Sequence, residues 1–165
     1  MLTLNALIIY ILSGILLSAY GVQLFLHEVP CPLCLLQRIG MICVAASLAL
    51  NIKFGIRPFH YGIALLASLF GGSIALRQIL LHVCPGFPEF GLPVFGISLY
   101  TWSFLIFACC ILAVALLLLM YDDRKLSSKE SQVTTFQSYA VWLIFLIALV
   151  NAITTFTQCG FGFCE

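Results

Sequence analysis

The stretch Cys31-Pro32-Leu33-Cys34-Leu35-Leu36-Gln37-Arg38-Ile39-Gly40-Met41-Ile42-Cys43-Val44-Ala45-Ala46-Ser47-Leu48-Ala49-Leu50 puts two thiols and a guanidinium at the head of an apolar run. After Arg38 the run is hydrophobic enough to enter a bilayer, and the arginine, in its first turns, is long enough to snorkel to the headgroups. The same character extends through the chain. Of 165 residues, 63% are hydrophobic and 8% charged, and the mean hydropathy is +1.17, which leaves too little polar surface for a soluble domain of this size. The net charge of +1 and the scattered basic residues exclude a nucleic-acid partner.

Five stretches read as spans: Leu4 to Leu26, Cys34 to Leu50, Phe59 to Leu81, Leu99 to Met120 and Tyr139 to Phe156. The second is the shortest. The first lacks a basic n-region and runs past signal-peptide length, so it is expected to be retained. Lys53 and Arg57 follow span two, and Arg124, Lys125 and Lys129 follow span four. By the positive-inside rule these connections face the cytoplasm, which places the N-terminus in the cytoplasm and the C-terminus outside. The polar stretch Tyr121 to Gln137 then reads as a solvated cytoplasmic connection.

This orientation sorts the cysteines. Cys31, Cys34, Cys84, Cys159 and Cys164 fall on the external face, where disulfides form and persist, while Cys43, Cys109 and Cys110 fall within spans as small packing residues. Pro30 and Pro32 keep the chain extended around Cys31, so a helix is expected to start at about Leu33 or Cys34. Cys34 would then lie in a first turn, where the helix end and Arg38 at i+4 both favour its thiolate. Cys31, outside the helix, is the more accessible sulfur. A zinc site is the rival use of C-x-x-C, with His27 and His82 as further ligands, and a purely structural disulfide is another.

Pro30-Cys31-Pro32-Leu33-Cys34-Leu35-Leu36-Gln37-Arg38 resembles the signature of the DsbB-type disulfide bond formation proteins, membrane thiol:quinone oxidoreductases. The relay of DsbA, DsbB and quinone is what keeps a bacterial periplasm oxidising. The resemblance covers spans one to four. It implies that Cys31 and Cys34 are the redox pair next to the quinone, ubiquinone or menaquinone, and that Arg38 contacts it. It further implies a periplasmic thioredoxin-like, DsbA-like dithiol oxidase as partner, residence in the bacterial inner membrane, and a shuttle cysteine at the start of the loop after span three, where Cys84 stands. A guanidinium also has a physical reason to be there, since thiolate-to-quinone transfer develops negative charge on a ring oxygen.

The chain departs from that pattern beyond span four. The loop from Val83 to Ser98 carries only one cysteine, Cys84, amid prolines, glycines and apolar residues that suit a segment lying on the membrane surface. The other external thiols, Cys159 and Cys164, follow a fifth span. A second redox pair is therefore expected among Cys84, Cys159 and Cys164, with a bond from Cys84 to the tail preferred over a local Cys159–Cys164 bond. Arg77 in outer span three is a further candidate for neutralising charge near the quinone, and Asn151 in span five for a hydrogen bond to a neighbouring helix.

The expected fold is an all-α integral membrane protein, a four-helix transmembrane bundle plus a fifth transmembrane helix packed outside it. Residues 1–120 form the DsbB-like domain with the quinone site, 121–138 the cytoplasmic connection, and 139–165 the fifth helix with its external cysteine tail. Three alternatives compete: a vitamin K epoxide reductase-like quinone and thiol enzyme, a soft-metal-binding membrane protein, and a disulfide-stapled scaffold.

Overall fold

In the computed structural model of the chain, residues 1–26, 31–83, 94, 96–121 and 133–159 are described. They form α1 (Leu2–Leu26), α2 (Pro32–Phe54), α3 (Pro58–Val83), α4 (Leu99–Leu119) and α5 (Thr135–Cys159). All five helices are long and apolar enough to cross a membrane, so the protein is an all-α membrane protein. Cys84, Cys164 and most of the loop between α3 and α4 lie outside the described residues.

Two helices, α2 and α5, run well past the hydropathy pattern, and in both cases a polar side chain near the end accepts a hydrogen bond from nearby backbone. α2 runs on past Leu50 to Phe54 because Asn51 turns inward, fully buried, and Lys53 falls in the last turn, where a cation suits the unpaired carbonyls. Asn51 Oδ1 then accepts from the backbone N–H of Arg57 at 3.0 Å and from His60 Nδ1 at 2.9 Å, tying the short α2–α3 connection. Gly55, at φ 86°, ends α2 in a conformation that only glycine adopts cheaply. α5 starts at Thr135, four residues before the hydrophobic run, because Gln137 Oε1 accepts from the Thr134 N–H at 3.1 Å.

α2 is the shared element of the bundle. α3 and α4 pack on one side of it, and α1 and α5 on the other; among the described residues α4 and α5 do not approach each other. Tyr10 donates to the Phe136 carbonyl at 3.0 Å and Tyr20 to Asn151 Oδ1 at 2.6 Å, so α1 and α5 run in the same direction. The fifth helix is thus seated in the groove between α1 and α2.

Packing in a bilayer depends on close fit, since lipid offers no hydrophobic drive for helices to associate. The tightest fit is on the α3 side. Phe107 of α4 is fully buried with its ring laid on Gly71 of α3 and Gly40 of α2. A Cβ at Gly71 would overlap that ring, and a Cβ at Gly40 would stand 3.1 Å from both the ring and the Gly71 Cα. The outer surface carries the apolar side chains that lipid requires, among them Leu66, Phe70, Leu112, Leu119 and Trp142.

Candidate active site

Helix α2 begins one residue earlier than the flanking prolines suggest. Pro32 occupies the first helical position, where its missing N–H costs nothing, and Cys31 is the N-cap with φ −67° and ψ 151°. The cap is made by sulfur: the Cys34 N–H donates to Cys31 Sγ at 3.2 Å. Both thiols are free and partly buried. They meet α3 at Gln78, which is 2% exposed and donates from Nε2 to Cys31 Sγ at 3.5 Å and to Cys34 Sγ at 3.6 Å. Gln37, also buried, donates to Gln78 Oε1 at 2.8 Å.

Arg38 goes the other way. Its Nη1 donates to Gln23 Oε1 at 2.6 Å, its Nη2 to the Ala19 carbonyl at 3.3 Å, and its guanidinium carbon lies 4.7 Å from the centre of the Tyr20 ring. The expected approach of Arg38 to Cys34 is replaced by this α1 docking, because the α1 face offers two oxygen acceptors and an aromatic face to a half-buried cation. The thiolate preference moves accordingly to Cys31, which lies just outside the span. Its thiol is pulled down to about 6, first by the Cys34 S–H donating to it and, against the opposing effect of burial, by the Cys34 N–H and the Gln78 amide.

The Arg38 flank extends to α5. Asn151, 5% exposed, holds the Tyr20 hydroxyl and also lines an open cavity of about 390 Å³ between α2 and α5, with Ile39, Ile42, Ala148, Ala152 and Phe156. Thr155 lines the same cavity, and its buried Oγ1 has no hydrogen-bond partner among the described residues.

The remaining candidates are placed as follows. Arg77 is exposed on α3, one residue from Gln78 but turned away from the interior. His82 donates from Nδ1 to the Gln78 carbonyl at 2.8 Å and stacks on Tyr100 with ring centres 5.0 Å apart. Cys43 and Cys109 are exposed on helix surfaces and Cys110 is buried in the core. Cys159 is the last residue of α5, whose direction brings it to the Cys31 end of the bundle; α3 ends at Val83, one residue before Cys84, at that same end. Gln37 and Gln78 had no role in the sequence reading. Their signal was polarity within apolar spans, but only the rotation of α2 against α3 shows that they meet at the thiols.

The fold and this site define a multi-pass helical membrane protein with two free thiols side by side at one end of its bundle. Residues 2–91 match the family model described as disulfide bond formation protein DsbB, and the chain belongs to that family. It is 40% identical over 77 residues to Disulfide bond formation protein B of Chromobacterium violaceum, covering 41% of this chain and 46% of that relative. It is 36% identical over 83 residues to the protein of the same name from an Azoarcus species, covering 46% of this chain and 49% of that relative. The matched stretch thus spans about half the length of these relatives. No solved structure matches the chain. α4 and α5 lie beyond the family match.

Proposed function

We propose that this protein is a thiol:quinone oxidoreductase of the bacterial inner membrane, which reoxidises a periplasmic thioredoxin-like dithiol oxidase and so supports disulfide bond formation. The observation that carries the reading is the dithiol at the head of α2, with an arginine one turn further along the same helix and docked into the bundle. In the first half of the cycle the partner's two thiols become a disulfide while the Cys31–Cys34 disulfide takes two electrons and two protons to become two thiols. A bound quinone would supply the acceptor for those two electrons and two protons as Cys31 and Cys34 close again.

The residues suit such a group. Among the described residues Arg38 meets only neutral acceptors and an aromatic face, so its positive charge is available to negative charge developing on a ring oxygen. The neighbouring cavity is apolar along Ile39, Ile42 and Phe156, as a long isoprenoid chain requires, with Asn151 and Thr155 as polar points. Arg38 would hold and orient the head; Gln23, the Ala19 carbonyl and the Tyr20 ring hold Arg38, and Asn151 holds the Tyr20 hydroxyl. Arg77, exposed on α3, fits an interfacial role better than direct contact.

In this reading the N-terminus is cytoplasmic and the C-terminus periplasmic, and a second redox pair passes electrons inward from the partner. Cys84, Cys159 and Cys164 are its candidates. α3 and α5 lie on opposite sides of α2, so a bond between Cys84 and Cys159 would have to cross the head of α2. The five residues after Cys159, at about 3.4 Å each when extended, reach about 17 Å, more than a helix diameter of about 10 Å, so Cys164 is the tail thiol suited to Cys84. Mass spectrometry of the non-reduced, alkylated protein distinguishes this bond from the local Cys159–Cys164 bond, and finding all three thiols free in the oxidised protein overturns the relay.

The test of the whole reading is quinone reduction by the purified protein with a dithiol oxidase as electron donor. Wild type is expected to turn over, and Cys31→Ser and Cys34→Ser to fall to background, because serine cannot exchange with a disulfide. Cys43→Ser and Cys109→Ser should keep turnover. Full activity in Cys34→Ser ends the proposal.

A further inference from the structure

We infer that Gln78 is the catalytic hydrogen-bond donor for both sulfurs of the Cys31/Cys34 pair, and that Gln37 is the positioning residue that fixes which end of the Gln78 amide faces them. The inference deepens the thiol-exchange reading above and rests on it. A carboxamide has one oxygen and one NH2, so its orientation decides whether it can serve a thiolate. Here the oxygen is occupied: Gln37 Nε2 donates to it at 2.8 Å, between two side chains that are 4% and 2% exposed. That turns Gln78 Nε2 to the sulfurs, 3.5 Å from Cys31 Sγ and 3.6 Å from Cys34 Sγ, while the Cys34 S–H also reaches the Gln78 oxygen at the longer distance of 4.0 Å. If Gln78 were flipped, its NH2 would face the Gln37 NH2 and its oxygen would face the sulfurs, the wrong sign for a thiolate.

The chemistry calls for a donor that reaches both atoms. When an incoming thiolate attacks Cys31 Sγ, the S–S bond breaks, a new S–S bond forms to Cys31, and Cys34 leaves as thiolate. When the second incoming thiolate attacks its own sulfur in that mixed disulfide, Cys31 leaves as thiolate. The incoming pair is then a disulfide, and Cys31 and Cys34 hold the two electrons. Each sulfur is a leaving group once, and one amide with two N–H bonds is placed to stabilise both departures. Among the described residues no other side-chain nitrogen donates to either sulfur; Arg38 is committed to α1. A neutral donor also suits the site, since it stabilises the thiolate without introducing a second unpaired charge at the head of a membrane helix.

The test needs neither quinone nor partner. In the reduced, detergent-purified full-length protein, the rate of Cys31 alkylation by iodoacetamide is followed against pH by peptide mass spectrometry, and the Cys31/Cys34 redox equilibrium is measured against glutathione. Gln78→Met, unbranched and close in volume, should raise the Cys31 midpoint by about one pH unit and make the pair roughly tenfold less oxidising, about 30 mV for a two-electron couple. Gln37→Leu, which touches neither sulfur but frees the Gln78 amide to turn, should shift both readouts in the same direction by a smaller amount. Gln78→Glu should raise the midpoint most, because a carboxylate offers oxygens where N–H bonds are needed. A helix content and melting temperature equal to wild type confirm that the variants are folded. Gln78→Met and Gln78→Glu with wild-type midpoint and potential overturn the inference, as does a Gln37→Leu shift equal to zero beside a large Gln78→Met shift for its positioning part. Loss of quinone turnover in the wild-type protein would overturn the proposed function and leave these titrations readable.

Discussion

The two flanks of α2 solve the same problem, holding polar atoms in a bilayer, by different means. On the α3 flank the polar groups are neutral and bonded to one another, Gln37 to Gln78 and Gln78 to the sulfurs, above a tight apolar seam of Gly40, Gly71 and Phe107. On the α1 and α5 flank a cation is spread over a carbonyl, a carboxamide and an aromatic face, and the support reaches as far as Asn151. Under the proposed function the difference separates two tasks: one flank would govern which sulfur carries charge, the other would offer charge to a bound quinone. None of the five helices contains an aspartate or glutamate, so the division is made without an internal ion pair.

The largest expected effect breaks the charged flank. Arg38→Met should lower kcat/KM for quinone by about 2 to 4 kcal/mol, roughly thirty- to a thousandfold, with little change in partner affinity. Arg38→Lys should fall between, since a point charge cannot replace two directed N–H contacts. Steady-state kinetics with varied quinone checks this; unchanged quinone parameters in Arg38→Met would reduce the residue to a membrane anchor.

A second prediction breaks the seam of the other flank. Gly71→Ala places a methyl against the Phe107 ring and should cost about 1 to 3 kcal/mol of stability, whereas Gly72→Ala, whose Cβ would meet Phe107 Cβ at 3.5 Å, an ordinary contact, should be tolerated. Thermal melting in detergent separates the two. Equal melting temperatures for both variants would show that α3 and α4 can separate without cost.

A third prediction asks how far the charged flank extends. Tyr20→Phe and Asn151→Leu each remove the same interhelical hydrogen bond, so each should cost about 1 kcal/mol in quinone kcat/KM and the double variant no more than either alone. Additive losses would mean that α5 and Arg38 are not coupled.

The smallest effect concerns pH. Cys31 is lowered in the folded, reduced protein to about 6 from an ordinary thiol value of about 8.5. The stability it contributes is therefore fully present above about pH 8.5 and is lost as pH falls through about 6. The melting temperature of the reduced protein should approach that of Cys31→Ser as pH drops through this window. The oxidised protein, which has no thiol there to titrate, should not follow it.

The number and approximate place of the five helices were legible because lipid demands long apolar runs, and the head of α2 because proline and cysteine restrict it so strongly. What was not legible depends on rotation of one helix against another. Arg38 at i+4 shares a face with Cys34 on a bare helix, yet α1 offers it better acceptors, and sequence spacing carries no information about a neighbouring helix. The polar ends of α2 and α5 were misread as boundaries for a related reason: Asn51 and Gln137 are helical because each bonds to backbone beside it, which hydropathy does not register.

The bond between Tyr20 and Asn151 joins residues 131 positions apart. At about 5 to 20 residues per second, a ribosome takes roughly 7 to 26 s to add that much chain. Over that interval the dithiol helix is already made while the support of its arginine is incomplete, so the nascent protein can acquire its cysteines before it can complete the Arg38 flank. Under the proposed function, this order of assembly would tie the onset of electron flow to the insertion of α5.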